Sequence, residues 1–171
     1  IVLVGSRRTG KSYVLKDFIQ RHKDEEDTNI IYIDKEKKDY KDIKTDAELN
    51  EFIEARWEKG RHNYILIDEV QDIERYEESV CNWYTEEKTD IIISGSNSKM
   101  LSSELSTRLS GRYIEIRVHP LSYIEFLQFH SLENNDNSLM LYLTYGGLPG
   151  LRRIGIDNDE QVWEYLSSVF N

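Results

Sequence analysis

An α/β fold is predicted for this chain: a parallel sheet with helices on both faces. Three observations predict it: five short apolar runs, stretches of helical periodicity between them, and the unbroken apolar character of the first four runs. Short strands separated by helices require crossover connections, which are right-handed and build a parallel sheet. A strand covered on both faces has no reason to alternate, and only the fifth run does. With 171 residues, 39% apolar and 32% charged, the chain can bury a sizeable core and is most simply one globular domain.

The first strand is "IVLV", residues 1–4, and it runs directly into "GSRRTGKS", residues 5–12. Behind that stretch Val14, Leu15, Phe18 and Ile19 recur on one helical face. The second strand is "IIYI" at 30–33, and the most charged segment, "DKEKKDYKDIKTD" at 34–46, reads as a solvated loop. Thr45 with Glu48 forms a capping box, after which Leu49, Phe52, Ile53 and Trp57 share a face until Gly60 stops the helix. "YILI" at 64–67 is the third strand, and Ile73, Tyr76, Val80, Trp83 and Tyr84 mark the next helix. "III" at 91–93 is the fourth strand. "YIEIRV" at 113–118 alternates, with Ile114, Ile116 and Val118 inward and Glu115 and Arg117 outward, the mark of an edge strand. A closing helix has Asp157 as its N-cap, Glu160 three residues on, and a stripe of Val162, Leu166 and Val169. No Met opens the chain, nothing precedes its first strand, and chains rarely stop on such a helix. A longer protein with a further domain beyond Asn171 is therefore expected.

A formal net charge of −10 and a pI near 4.9 argue against a general nucleic-acid-binding surface on this segment. The lone Cys81 excludes an internal disulfide framework, and His22, His62, His119 and His130 lack metal-ligand spacing. No apolar run approaches the ~20 residues of a membrane span. No signal peptide pattern is present, so the expected location is cytoplasmic and no membrane partner is expected.

"GSRRTGKS" fits G-x-x-x-x-G-K-[ST], the phosphate-binding P-loop, with the apolar strand before it and amphipathic helix after it that the pattern demands. Gly5 and Gly10 permit backbone angles that side chains forbid, so the N–H groups of Ser6, Arg7, Arg8 and Thr9 can turn in around a phosphate chain. Lys11 would reach the β- and γ-phosphates and the Ser12 hydroxyl would bind Mg²⁺. Arg7 and Arg8 either add positive charge there or are solvated. In "YILIDEVQ" the strand ends in Asp68 and Glu69, at the edge where parallel sheets bind ligands. Asp68 would hold Mg²⁺, and Glu69 would orient or deprotonate the water that attacks the γ-phosphate. After the fourth strand Ser94, Ser96 and Asn97 are candidates for contacting the γ-phosphate and that water. Asn97 is preferred, its alternative being a cap for the helical pattern "SKMLSSELSTRL". "EKTD" at 87–90 precedes its strand and lacks the Asn of a guanine-reading motif, which argues against GTP.

"GSRRTGKS", "YILIDEVQ", "IISGSNSKML", "RLSGRYIEIRVHPLSYIEF" and "YLTYGGLPG", in this order, resemble the prokaryotic AAA+-like ATPases usually followed by a restriction-endonuclease-like C-terminal domain. The resemblance covers nearly the whole chain. It implies a three-layer P-loop NTPase fold with a five-stranded parallel sheet in the order 5-1-4-3-2. Residues 1–120 would form the ATPase core and 121–171 a helical extension that begins a lid. It also implies ATP and Mg²⁺ as ligands, and an arginine before the fifth strand, Arg108 or Arg112, that stabilises the transferring phosphoryl group. Pro149 in "YGGLPG" is similar to an element that packs the adenine, while a helix C-cap is the other reading of that turn. The implied activity is ATP hydrolysis that drives or times a conformational change in an attached domain. A nucleotide-dependent switch of very low turnover is the alternative, and a water-activating Glu69 argues against a small-molecule kinase. The implied partners are ATP and ADP, with self-association through Arg112 when ATP is bound. This chain departs from the family pattern in carrying neither the C-terminal domain nor a helix before its first strand.

Overall fold

The computed structural model describes residues 1–96, 109, 111–156 and 158–170. It divides into two compact units, one of residues 1–5 with 11–117 and one of 6–10 with 118–171. The first unit holds β1 (Val2–Val4), α1 (Lys11–His22), β2 (Thr28–Asp34), α2 (Asp46–Glu54), β3 (His62–Asp68), α3 (Tyr76–Tyr84), β4 (Thr89–Gly95) and β5 (Glu115–Arg117). Every strand pairing is parallel, and the order β2-β3-β4-β1-β5 agrees with the expected one.

Alternate residues of β1 to β4 enter separate cores. Val2, Val4, Ile31, Ile33, Ile65, Ile67, Ile91 and Ile93 pack with Leu49 and Ile53 of α2 and Val80 of α3. Leu3, Leu66 and Ile92 pack instead with Leu15 of α1. Both faces of the central strands are thus apolar, which is why their sequences do not alternate. The same holds at the β2 edge: Ile31 and Ile33 serve one core while Ile30 and Tyr32 pack against the other beside Phe18 and Ile19.

Three expectations need correction. Val14 is 46% exposed, because α1 lies on β3 and β4 through Leu15, Phe18 and Ile19, leaving Val14 on its flank. The charged segment after β2 is not a solvated loop throughout. Lys35 and Ile43 are buried, and the Lys35 ammonium donates to the carbonyls of Tyr40 (2.6 Å) and Ile43, so it ties the turn together from inside. Burial lowers the pKa of Lys35. At the β5 edge, Ile114 and Ile116 are 66% and 44% exposed rather than inward, and neither joins the two apolar cores that the other strands build. The capping box of Thr45 and Glu48 forms as the sequence predicts, although α2 ends at Glu54 and Gly60 (φ 95°) lies in the turn into β3.

The second unit is helical: α4 (Tyr123–His130), α5 (Asp136–Tyr145), α6 (Leu151–Ile154) and α7 (Asp159–Phe170). Phe126, Tyr145, Leu148, Leu151, Ile156, Val162 and Leu166 form its core. Ser122 and Glu125 make a capping box at α4, and Asn135 caps α5. Asp157 lies outside the described residues; Asn158 accepts from the Gln161 N–H (3.3 Å) at the start of α7. Among the described residues no helix is long and apolar enough to cross a membrane.

His130 sits against Phe126, with ring centroids 4.5 Å apart, and its Nε2 is buried without a hydrogen-bond partner. Burial, and then the Arg152 charge, hold its pKa below the ordinary histidine value. The unfolded chain therefore binds the proton more readily, and stability should fall as pH drops through about 6.5. Thermal melts at pH 7.5 and 5.5 should show a smaller loss in His130→Gln than in the parent chain; equal losses would contradict this account.

Candidate functional site

β1 delivers the chain into Gly5, and α1 begins at Lys11. Between them the backbone is left-handed at Gly10 (φ 109°), which a side chain would resist, and at Arg8 (φ 63°), which tolerates it at a cost. Thr9 is buried and donates to the Ser6 carbonyl at 2.9 Å. Arg7 is exposed. Arg8 has partners inside the second unit: its guanidinium donates to Ser168 Oγ (2.9 Å) and lies over the Tyr165 ring.

Lys11 opens α1, and its side chain is only 3% exposed. An ammonium buried this way needs acceptors. It donates to the Gly5 carbonyl at 3.0 Å and lies 3.9 Å from Glu69 Oε1. Glu69 follows the last residue of β3 and adopts φ 56°, ψ 51°, a left-handed conformation that costs a non-glycine residue ~1–2 kcal/mol. The strain turns its carboxylate toward Lys11, and Gln71 Nε2 holds the other oxygen at 2.5 Å. Ser12 is half-buried directly behind Lys11.

Asp68, 1% exposed, is hydrogen-bonded by the Ser94 hydroxyl. The β3–β4 register pairs Ile67 with Ile93 and so sets Asp68 beside Ser94. Ser94 Oγ also accepts from the Glu69 N–H at 3.3 Å, so one hydroxyl bridges both acidic residues. On β2, Asp34 is in register with Asp68, accepts from Tyr32 Oη (3.3 Å) and the Glu36 N–H (3.2 Å), and is itself buried. Burial first, then the charges of Asp68 and Asp34, push the Tyr32 phenol well above its ordinary pKa, so it stays a donor.

The Ser12 hydroxyl and the Asp68 carboxylate are hard oxygen donors of the kind Mg²⁺ takes, with remaining positions left to substrate phosphates and water. Among the described residues no cluster of three or more His, Cys, Asp or Glu side chains forms a closed metal site.

The other predicted residues divide by position. Ser96 is half-buried just beyond β4, while Asn97 and Arg108 lie outside the described residues. Arg112 is found at the end of the sheet where the strands begin, lining a cavity of about 250 Å³ with Ile1, Asp90 and Tyr113. Arg112 precedes β5, whose first residue, Glu115, is in register with Val2 at the start of β1, so Arg112 stands at the end of the sheet opposite Gly5. Pro149 belongs to the second unit, where Gly146 (φ 74°) ends α5 and the Gly147 carbonyl accepts from the Leu121 N–H. A side chain at Gly147 would meet the Leu121 carbonyl oxygen at 2.0 Å, so glycine is required there by packing alone.

Sequence reasoning left Gln71, Tyr32 and Asp34 out of the site. Gln71 stands two residues after Glu69 in "DEVQ", and Asp34 closes its strand as Asp68 does; both signals were available.

Residues 1–127 match the family described as an AAA domain. The chain is 35% identical to an uncharacterized protein of Haemophilus influenzae, covering 99% of this chain and 44% of that protein. It is 32% identical to an uncharacterized protein of Methanocaldococcus jannaschii, with 99% and 40% covered. It thus spans less than half the length of these relatives. Among solved structures, the Aeropyrum pernix ORC1 protein in complex with DNA superposes with a TM-score of 0.62 at 12% identity, covering 98% of this chain and 59% of that one, a likeness of fold.

Ser94→Ala removes the hydroxyl that satisfies Asp68 and should lower stability by ~1–3 kcal/mol, read as the urea midpoint with an unchanged slope. An unchanged midpoint would mean that Asp68 is satisfied without Ser94.

Proposed function

We propose, given that this chain belongs to the AAA domain family, that it binds ATP with Mg²⁺ and hydrolyses it to ADP and phosphate. The family supports nucleotide binding of the ATPase kind; the reaction itself is our inference. One observation carries it: the buried Lys11 ammonium and the Glu69 carboxylate lie 3.9 Å apart at the carboxyl edge of the sheet, beside a P-loop.

In this reading the loop N–H groups and Lys11 bind the β- and γ-phosphates, Lys11 exchanging the Gly5 carbonyl for phosphate oxygens. Ser12 and Asp68 would hold Mg²⁺, which when bound neutralises charge on the β- and γ-oxygens. Glu69, steadied by Gln71, accepts a proton from water as the water oxygen bonds to the γ-phosphorus. The bond from that phosphorus to the β,γ-bridging oxygen breaks, and ADP leaves with the electron pair. Ser94 keeps Asp68 and the Glu69 backbone in place and Ser96 or Asn97 contacts the γ-phosphate, while Pro149 would pack the adenine.

The position of Arg112 at the opposite end of the sheet supports its action on the nucleotide of a neighbouring copy rather than its own. Hydrolysis would then time a conformational change in an attached domain, of the restriction-endonuclease-like kind if the resemblance holds. A second reading, a switch that binds ATP and turns over rarely, is favoured by one feature: Glu69 is engaged by both Lys11 and Gln71 and must be released to act as a base. Neither reading calls for nucleic acid on this segment, whose net charge is −10.

Lys11→Ala should abolish measurable ATP·Mg²⁺ binding in titration calorimetry, and an affinity unchanged from the parent would overturn the assignment. Glu69→Gln should keep that affinity and slow phosphate release by ~10²- to 10⁴-fold. Turnover within about threefold of the parent would instead make Glu69 a purely structural residue.

A further inference from the structure

We propose that Arg8 is a phosphate ligand held in reserve: α7 sequesters its guanidinium, and this autoinhibitory contact restrains nucleotide binding at the loop. The proposal rests on the ATP reading above and adds to it the control of the same loop.

Within the second unit the loop and α7 meet through one cation. The Arg8 guanidinium donates to Ser168 Oγ at 2.9 Å and lies 4.8 Å from the centre of the Tyr165 ring. Both of its partners are themselves fixed. The Ser168 hydroxyl gives its proton to the Tyr165 carbonyl (2.7 Å), which leaves a lone pair of Oγ for Arg8. The Tyr165 ring rests against Gly150, where any side chain would run into its hydroxyl. The backbone bears a cost for this arrangement. Arg8 stands at φ 63°, a left-handed conformation that a residue other than glycine keeps only where its surroundings hold it. The contacts of its side chain among the described residues are with α7.

The strength of the competing partners decides which way the arginine turns. Ser168 and Tyr165 are neutral, and the hydrogen bond to Ser168 is open to solvent, so the contact is modest. A charge-assisted hydrogen bond to phosphate is roughly twice as strong as a neutral one, and the planar fork of arginine takes two phosphate oxygens at once. The Arg8 N–H is one of the proposed phosphate donors, so a phosphate seated in the loop lies within reach of the same residue's side chain. The guanidinium cannot serve phosphate and α7 together. Phosphate binding therefore breaks the α7 contact, and the apparent affinity is reduced according to the fraction of molecules in which Arg8 is undocked. By linkage, whatever draws α7 away from the loop tightens phosphate binding.

Titration calorimetry with ATP·Mg²⁺ on the parent chain, Ser168→Ala, Arg8→Ala and the double variant tests this as a cycle. Ser168 is exposed and alanine is the best helix former, so the serine substitution leaves α7 intact. Ser168→Ala should tighten ATP·Mg²⁺ binding about threefold, Arg8→Ala should weaken it at least about threefold, and Ser168→Ala should change nothing once Arg8 is alanine. Proton NMR of the unaltered chain gives a second readout that needs no variant. The Arg8 side-chain resonances, shifted upfield by the Tyr165 ring, should return to ordinary positions with ATP·Mg²⁺ and stay shifted with adenosine, which has no phosphate. An affinity unchanged or weakened in Ser168→Ala, an Arg8→Ala variant that binds as tightly as the parent, or tightening by Ser168→Ala that persists in the Arg8→Ala background would overturn the proposal. So would Arg8 resonances that remain shifted at saturating ATP·Mg²⁺. In each of these cases a parent chain that binds ATP·Mg²⁺ leaves the ATP reading standing, whereas a parent that binds none overturns both.

Discussion

A carboxylate as deeply buried as Asp68 must be paired, and the Ser94 hydroxyl pairs it. That contact exists only while β3 and β4 keep their register, because one residue of slip would turn Ser94 to the opposite face. Register in turn depends on the two apolar cores, which fix which residues of β3 and β4 point to α1 and which to α2 and α3. The same hydroxyl accepts from the Glu69 N–H, so the left-handed turn at Glu69 is held by the burial of Asp68. The strain at Glu69 is sustained by the sheet behind it, a distribution found where function requires a carboxylate to be aimed.

Much of this was legible in the sequence. The four unbroken runs, the capping box of Thr45 and Glu48 and the pattern "GSRRTGKS" each reflect a local rule: a doubly covered strand, satisfied helix N–H groups, a turn that only small residues allow. What was not legible depends on long-range packing. Ile114 and Ile116 alternate as an inward face would, yet both are exposed, because alternation alone does not say whether a helix covers that face. Lys35 looked like one more solvated charge, yet its ammonium is drawn inside by two carbonyls further along the chain. The left-handed backbone at Arg8 and Glu69 has no sequence mark, because both residues ordinarily avoid it. Asp34 and Tyr32 join Asp68 only through the β2–β3 register.

The first unit carries its charged chemistry at opposite ends of one sheet. Lys11, Asp68, Glu69 and Ser94 gather where the strands end, while Arg112 lines a cavity where they begin.

The central claim is that residues 5–12 and the pair Asp68 and Glu69 receive a nucleotide phosphate together. Amide hydrogen exchange with and without ATP·Mg²⁺ tests this directly, because the N–H groups of the loop are the proposed phosphate donors. The account predicts slowed exchange at Ser6–Ser12 and at Glu69, with little change in β5. Exchange at Ser6–Ser12 that is unaffected by saturating ATP·Mg²⁺ would contradict it.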